Sequence, residues 1–311
     1  TMPYNPPGNT NGTELLPDQQ IKNFLDEKGL PLINSANNNK TDSVEGDSFQ
    51  EYSFTGVAAI DYYGFAVASA GDVNADGFSD IIIGAPFNDA GGTDAGRVYI
   101  YYGSHVIDYS ADVIITGNTS GGKLGYSVSS AGDVNNDGYA DVIAGAIGIA
   151  SNTGGANIYY GGSSMNNVAD VILGGLATGE LFGYSVATAG DVNGDGFSDV
   201  LVGAYAYLGY TGRVFAFFGS GVMDNSADII FASGDAGSAY GVSVASAGDV
   251  NTDGFRDIII SELLGPGSYG KAFIYLGGQS MDNVPDIQMT GATPADYFGS
   301  SVSSAGDMNG D

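Results

Sequence analysis

The stretch Ala189-Gly190-Asp191-Val192-Asn193-Gly194-Asp195-Gly196-Phe197-Ser198-Asp199 decides how this chain is read, because it recurs. Its core, AGDVN-x-DG, returns with the first Asp at Asp72, Asp133, Asp191 and Asp249, and AGDMNGD places a fifth at Asp307, at spacings of 61, 58, 58 and 58 residues. A second marker, an Asp ahead of an apolar stretch, falls at Asp112, Asp170, Asp228 and Asp286, again 58 residues apart. Two markers sharing one period define a structural repeat.

Around the third copy, each repeat reads as four strands. Gly183–Ala189 alternates small and apolar residues, Asp199–Ala204 is a buried apolar run, Gly212–Phe218 is a third strand, and Asp228–Phe231 is a fourth. Four strands per repeat joined by Gly-rich turns predict an all-β fold: a β-propeller of four-stranded antiparallel blades, with first strands of Ser, Ala and Gly crowded beside the axis. A solenoid is the alternative, but its repeats are usually shorter, roughly 20–50 residues. The propeller is expected over residues 51–311, as four complete repeats and the start of a fifth. Residues 1–50 read as a mostly extended N-terminal arm rich in Pro, Asn, Gly and Thr. A short helix from Asp18 to Lys28 fits there, capped by Asp18 and stopped by Gly29. The arm is read either as a tail packed loosely on the propeller or as a docking arm.

The acidic loops point to a metal. Asp72, Asn74, Asp76 and Asp80 stand at positions 1, 3, 5 and 9, Gly77 at position 6 permits a sharp turn, and Phe78 offers its carbonyl from position 7. Hard oxygen donors at this spacing suit Ca²⁺. The set recurs as Asp133, Asn135, Asp137, Tyr139 and Asp141; as Asp191, Asn193, Asp195, Phe197 and Asp199; and as Asp249, Asn251, Asp253, Phe255 and Asp257. A partial fifth site holds Asp307, Asn309 and Asp311. Position 12 is Ile83, Ala144, Val202 or Ile260 rather than Glu, and the flanks are strands, so the loops are not EF-hands. Acidic turns without a metal are the plainer alternative.

Composition narrows the function. The formal charge is −28 over 311 residues, which disfavours nucleic acid and anionic lipid as partners. Four bound Ca²⁺ would bring that charge to −20. The absence of Cys excludes disulfides, thiolate catalysis and Cys-ligated zinc, and a single His105 excludes multi-His sites. No apolar run is long enough for a transmembrane helix. The opening TMPYNPPGNTNG lacks the order of a signal peptide, so that segment is expected to have been removed or never present. Sequons at Asn11, Asn39 and Asn118 permit glycosylation.

The combination Phe182-Gly183, the acidic loop and Gly203-Ala204 resembles the FG-GAP repeat of integrin α-subunit propellers and their bacterial and archaeal relatives. The "FG" is Phe-Gly at Phe182 and Phe298, but Tyr63-Gly64, Leu124-Gly125 and Tyr240-Gly241 elsewhere. "GAP" is complete only at Gly84-Ala85-Pro86, and Ser261-Glu262-Leu263 replaces it in the fourth repeat, where the second strand is expected to end differently. The resemblance implies calcium in the loop between the first two strands of each blade, with ligands on the opposite face. Integrin α-subunits carry seven repeats. Here Glu51–Gly56 reads as an orphan fourth strand and the chain stops inside a calcium loop. The expectation is a fragment of a longer protein, or blades completed by a neighbouring subunit.

The face opposite the calcium loops carries Pro86-Phe87-Asn88-Asp89, Tyr205, Tyr207, Tyr210 and Tyr269, with Tyr297 on a preceding loop. Of these, Phe87, Tyr205, Tyr207, Tyr210 and Tyr269 are the candidate ligand-binding residues, since Tyr combines area, a polar tip and few rotatable bonds. Tyrosines that only plug the channel mouth are the alternative. The turns around Met165, Met223 and Met281 read as packing staples. No motif selects a catalytic group, and His105 reads as incidental, so the chain is not read as an enzyme. The expected function is an extracellular, calcium-stabilised adhesion or binding module for a protein or glycan. The alternative is a structural subunit of a surface layer or fibre, in which copies of the chain assemble through the arm or open blade edges. An extracellular or cell-surface location follows from millimolar calcium, and lack of Cys points to a microbial source.

Overall fold

The second strand of every repeat pairs with the first and third, so each repeat folds as a meander of four antiparallel strands in sequence order. The computed structural model describes residues 54–56, 58, 60–105, 110–264, 267 and 269–306. The chain divides into Thr1–Glu51 and Tyr52–Asp311. The helix expected at Asp18–Lys28 lies outside the described residues, as do Asp307, Asn309 and Asp311.

The protein is all-β. Blade 1 is β1 (Ala66–Gly71), β2 (Asp80–Ala85), β3 (Arg97–Tyr101) and β4 (Val113–Thr116). Blade 2 is β5 (Leu124–Gly132), β6 (Asp141–Ala146), β7 (Gly155–Tyr159) and β8 (Val171–Gly174). Blade 3 is β9 (Ser185–Gly190), β10 (Asp199–Ala204), β11 (Arg213–Phe217) and β12 (Ile229–Phe231). Blade 4 is β13 (Tyr240–Gly248), β14 (Asp257–Glu262), β15 (Lys271–Tyr275) and β16 (Ile287–Thr290). First strands touch first strands, β1 against β5, β5 against β9 and β9 against β13, which sets them side by side at the inner edge of the blades. Of the segment 51–56, only 54–56 are described, and they form no strand; the Phe54 ring packs on Tyr101 at 4.7 Å.

The core lies between blades. Ile82, Val98, Ile100 and Ile115 of blade 1 pack on Val142, Ala144 and Tyr159 of blade 2. Ile143, Ile158 and Leu173 of blade 2 pack on Val200, Phe215 and Phe217 of blade 3, and Leu201, Val214 and Phe231 of blade 3 on Ile258, Phe273 and Tyr275 of blade 4. Alternation along each strand therefore buries both faces of an inner blade, which is why β6 and β10 are buried throughout and apolar after their first Asp. Met165 and Met223 are buried in two of these cores, and Met281 packs on the third, so the methionine turns are packing staples.

The motif glycines are explained by close approach. A Cβ on Gly145 would lie 2.0 Å from the carbonyl oxygen of Gly183, and one on Gly203 would lie 2.2 Å from that of Gly241. The "GAP" glycine of one blade thus meets the "FG" glycine of the next, and a side chain would force the blades apart. Ser261 takes this place in blade 4, where its hydroxyl donates to the Ser243 carbonyl at 3.1 Å and accepts from the Ser243 N–H at 3.0 Å. The second strand was expected to end differently here. It does not, since β14 runs Asp257–Glu262, matching β2, β6 and β10 in length. Glu262 is tolerated because Lys271, across the pair in β15, brings its Nζ to 2.9 Å from Oε1.

Acidic loops and an aromatic band at opposite ends of the blades

Register assigns the two ends. Ala66 pairs with Gly84 and Gly71 with Asp80, so the acidic loop joining β1 to β2 lies at the end opposite the start of β1. The other blades repeat this arrangement.

In each acidic loop the carboxylates collect backbone N–H groups. Asp72 accepts from the N–H groups of Asp76 at 3.0 Å and Gly77 at 2.9 Å, while Asn74 Oδ1 also accepts from Asp76 N–H at 3.0 Å. Asp76 accepts from Phe78 N–H at 2.9 Å and from the Asn74 amide at 2.9 Å. Positions 1, 3 and 5 are thereby drawn to one side of the turn, and Gly77, with φ of 92°, supplies the left-handed residue that the turn requires. Asp133, Asn135 and Asp137 repeat the pattern. So do Asp191, Asn193 and Asp195, and then Asp249, Asn251 and Asp253. Tyr139, Phe197 and Phe255 follow the glycine as Phe78 does, each tied by its N–H to the position-5 Asp.

Position 9 does something the spacing did not reveal. Asp80, Asp141, Asp199 and Asp257 are buried, and each bridges two backbone N–H groups. Asp199 accepts from Val192 at 2.8 Å and from Gly219 at 2.9 Å, so it ties the loop to the turn after the third strand. Asp80, Asp141 and Asp257 make the same bridges. Burial pushes the Asp141 and Asp199 carboxyls up to about 7, and the two other Asp of each loop add to the shift against the opposing backbone hydrogen bonds. The Asp of the second repeat marker acts in a similar way. Asp112, Asp170, Asp228 and Asp286 each accept a backbone N–H from the end of the third strand, at 2.7–2.8 Å.

Among the described residues no three His, Asp or Glu side chains are gathered tightly enough to cage a metal ion. The donor set nevertheless fits Ca²⁺. Each loop offers three carboxylates, one amide oxygen and a main-chain carbonyl, all hard oxygens, and a carboxylate keeps lone pairs free beyond those given to one N–H per oxygen. The loops also interlock. The carbonyl of Asp72 accepts from Ala140 N–H in the next loop at 3.0 Å, that of Asp133 from Ser198 at 2.9 Å, and that of Asp191 from Arg256 at 3.0 Å. His105 only lays its ring edge against Phe78 at 4.8 Å.

The opposite end carries a continuous aromatic band. Phe87 touches Tyr62 at 5.0 Å and Phe65 at 6.4 Å; Phe65 touches Tyr126 at 4.8 Å; Tyr126 touches Tyr184 at 5.3 Å. Tyr184 then meets Tyr205 at 4.2 Å, and Tyr205 meets Tyr210 at 5.7 Å. The band crosses three blades. Of the candidate ligand residues it contains Phe87, Tyr205 and Tyr210. Tyr207 lies apart, its ring 3.7 Å from the Arg213 guanidinium, and among the described residues Tyr269 stacks on none of these rings. Sequence reasoning missed Tyr62, Phe65, Tyr126 and Tyr184. The signal was present, since the last three each follow an "FG" glycine, the residue that opens the first strand at this end. Tyr62, Phe65 and Tyr210 are exposed and the others half-buried. Burial pushes the Tyr126 phenol up to about 12, with Tyr184 adding to it, and raises that of Tyr205.

A meander blade with an Asp-rich loop between its first two strands, repeated four times, and a "GAP" glycine seated on the next "FG" glycine at each of the three junctions between blades define a class of repeat propeller. The FG-GAP repeat model matches residues 63–101, 124–157 and 182–217, in blades 1, 2 and 3, and together with similarity to integrin α-subunits this supports an FG-GAP, integrin α-like propeller. It is 37% identical over 100 residues to integrin alpha-5 of Xenopus laevis, covering 30% of this chain and 9% of that protein. It is 32% identical over 115 residues to integrin alpha-8 of Mus musculus, covering 35% of this chain and 11% of that protein. The chain thus matches about a tenth of the length of these relatives. Among solved structures, a fructofuranosidase from Schwanniomyces occidentalis aligns with a TM-score of 0.40 and 14% identity over 68% of this chain and 43% of that one, a likeness too slight to bear on function. No helix among the described residues is long and apolar enough to cross a membrane.

Proposed function

We propose that this chain is an extracellular or cell-surface adhesion module, a calcium-stabilised propeller that binds a protein or glycan ligand rather than an enzyme. The observation that carries this reading is the aromatic band from Tyr62 to Tyr210, part exposed, at the end opposite the acidic loops. Stacked rings with phenol tips offer area at little cost in side-chain entropy, as binding surfaces do. Likeness to integrin α-subunits supports a binding role, and four copies of one hard-oxygen donor set support Ca²⁺.

The test is light scattering on a sizing column in about 1 mM Ca²⁺ and then in chelator, followed by glycan and matrix-protein arrays in the calcium buffer. A calcium-stabilised monomer that captures a defined ligand through the band is expected. Large assemblies that dissolve in chelator would replace this reading with that of a self-assembling surface subunit.

A further inference from the structure

Neither end of the blades accounts for a cavity of about 500 Å³ that opens between blade 1 and blade 2. Its walls are Ala95 and Ile115 from blade 1 and Leu124, Ala146, Asn157 and Tyr159 from blade 2. The repeat explains why it is there. In blade 1 the "FG" aromatic Tyr63 packs on Tyr99 of β3 at 5.2 Å. In blade 3 Phe182 packs on Phe215 of β11 at 5.1 Å, and in blade 4 Tyr240 packs on Phe273 of β15 at 5.7 Å. The corresponding pair in blade 2 is Leu124 and Asn157, and both line the cavity. Two rings that seal the neighbouring interfaces are replaced here by a branched aliphatic side chain and an amide.

The walls cannot close over the space. The spacing of blades 1 and 2 is set elsewhere, by Gly84 against the Gly125 carbonyl, where a Cβ would lie 2.0 Å away, and by the interlocked acidic loops. A core that cannot relax keeps the volume its missing side chains leave. At about 500 Å³ it falls in the size range of small-molecule sites. No charged side chain lines it, in a protein of net charge −28. Its polar groups lie in two places: inside, the Asn157 amide donates to the Tyr159 hydroxyl at 3.3 Å, and Thr116, Asn118, Thr119 and Asn167 line the cavity from exposed positions.

We propose that the cleft between blades 1 and 2 binds a small neutral aromatic molecule that carries a hydrogen-bonding substituent. Its ring takes the place that Phe182 with Phe215, and Tyr240 with Phe273, fill in the other interfaces, and its substituent meets the Asn157 amide. A charged ligand finds no counter-charge there. A glycan, rich in hydroxyls, would leave those that face Ile115, Leu124 and Ala146 unpaired.

The test uses the whole chain in calcium buffer with 2-naphthol as probe, cyclohexanol and maltose as comparisons, and methyl resonances as readout. The expected result is saturable 2-naphthol binding at one site per chain that shifts the methyls of Leu124 and of Ile149, which also lines the cavity, with cyclohexanol at least about tenfold weaker. The double substitution Leu124→Phe with Asn157→Phe restores the aromatic pair; it is expected to weaken 2-naphthol about tenfold or more without lowering the melting temperature. Should that variant fail to fold, Ala169→Leu narrows the cavity from a half-buried wall position and carries the same expectation for binding. The proposal is overturned by absence of saturable binding at ~1 mM 2-naphthol, by undiminished binding in a folded filled variant, or by maltose shifting the same methyls more strongly than 2-naphthol. None of these outcomes bears on the aromatic band, so this proposal and the adhesion reading fail separately.

Discussion

At one end of the blades the four repeats are copies; at the other each is different. The bond from the position-2 Val N–H to the position-9 Asp measures 2.7, 2.8, 2.8 and 2.7 Å in blades 1 to 4. At the aromatic end, blade 1 buries Asp61 with the Asn88 amide at 2.6 Å. Blade 3 buries Glu180 against Arg213, whose Nε lies at 2.9 Å, and blade 4 sets Lys271 between Glu262 and Asp235. Repetition at the loop end means that one physical requirement is met four times. Variation at the other end means that nothing forced the blades to agree there. That end is where the loops leading into first strands and out of second strands can change without disturbing the interlock.

The comparison makes calcium the largest lever, and a global one. A site filled at a hundred times its Kd contributes about 2.7 kcal/mol, so emptying the four described loops should lower stability by about 11 kcal/mol. Urea unfolding in calcium and in chelator measures this, and equal midpoints would break the assignment of the loops as metal sites. Next comes Arg213→Met. It strands the buried Glu180 carboxylate without its partner and should cost about 3–5 kcal/mol, by the same amount in calcium and in chelator. A loss that vanishes in chelator would show the two ends to be coupled. Asp195→Ala should cost roughly one site's share, about 2.7 kcal/mol, and lower calcium stoichiometry by one; unchanged stoichiometry in equilibrium dialysis would count against that loop.

What the sequence disclosed follows the same division. Strand number, order and the four acidic loops were legible because each is specified by residues that recur, such as the Asp of AGDVN and the glycines of "FG" and "GAP". The bridging role of Asp80, Asp141, Asp199 and Asp257 was not, since a carboxylate that bridges N–H groups of Val and of a distant Gly has the same spacing as one that only binds metal. The end of β14 was misjudged because Ser261-Glu262-Leu263 was read only as a lost "GAP". The compensation for Glu262, Lys271, is a neighbour only across the strand pair. Tyr207 and Tyr269 were grouped with Tyr205 by their loops, but ring contacts are made in space. There Tyr126, in β5, and Tyr184, just ahead of β9, complete the band and Tyr207 turns to Arg213.

A smaller effect sharpens the loop end itself. Position 4 is left-handed in all four copies, with φ of 56° at Ala75, 58° at Asn136, 78° at Gly194 and 59° at Thr252. Only the third loop places Gly there, and a β-branched residue is the least suited. Thr252→Gly should therefore stabilise blade 4 by about 1 kcal/mol, read as a higher urea midpoint in calcium. A lower midpoint would mean that the hydrogen bond from the Thr252 hydroxyl to the Asn251 carbonyl, at 2.8 Å, matters more than the backbone strain.

The smallest expected change in stability lies at the other end and is the most informative about function. Tyr210 closes the aromatic band, 52% exposed, touching Tyr205 at 5.7 Å and following the left-handed Leu208 and Gly209. So exposed a ring adds little to the core, and Tyr210→Ser should leave stability within about 0.5 kcal/mol. If the band is the ligand surface, the same change removes a terminal contact and should weaken binding about tenfold, or about 1.4 kcal/mol. Arg213→Met supplies the contrast, because it damages the fold beneath Tyr207 without removing a ring from the band. A ligand that loses affinity with Tyr210→Ser and keeps it with a still-folded Arg213→Met would place recognition on the rings. The opposite pattern would move recognition to the buried ion pair's surroundings and leave the rings as packing at the mouth of the channel.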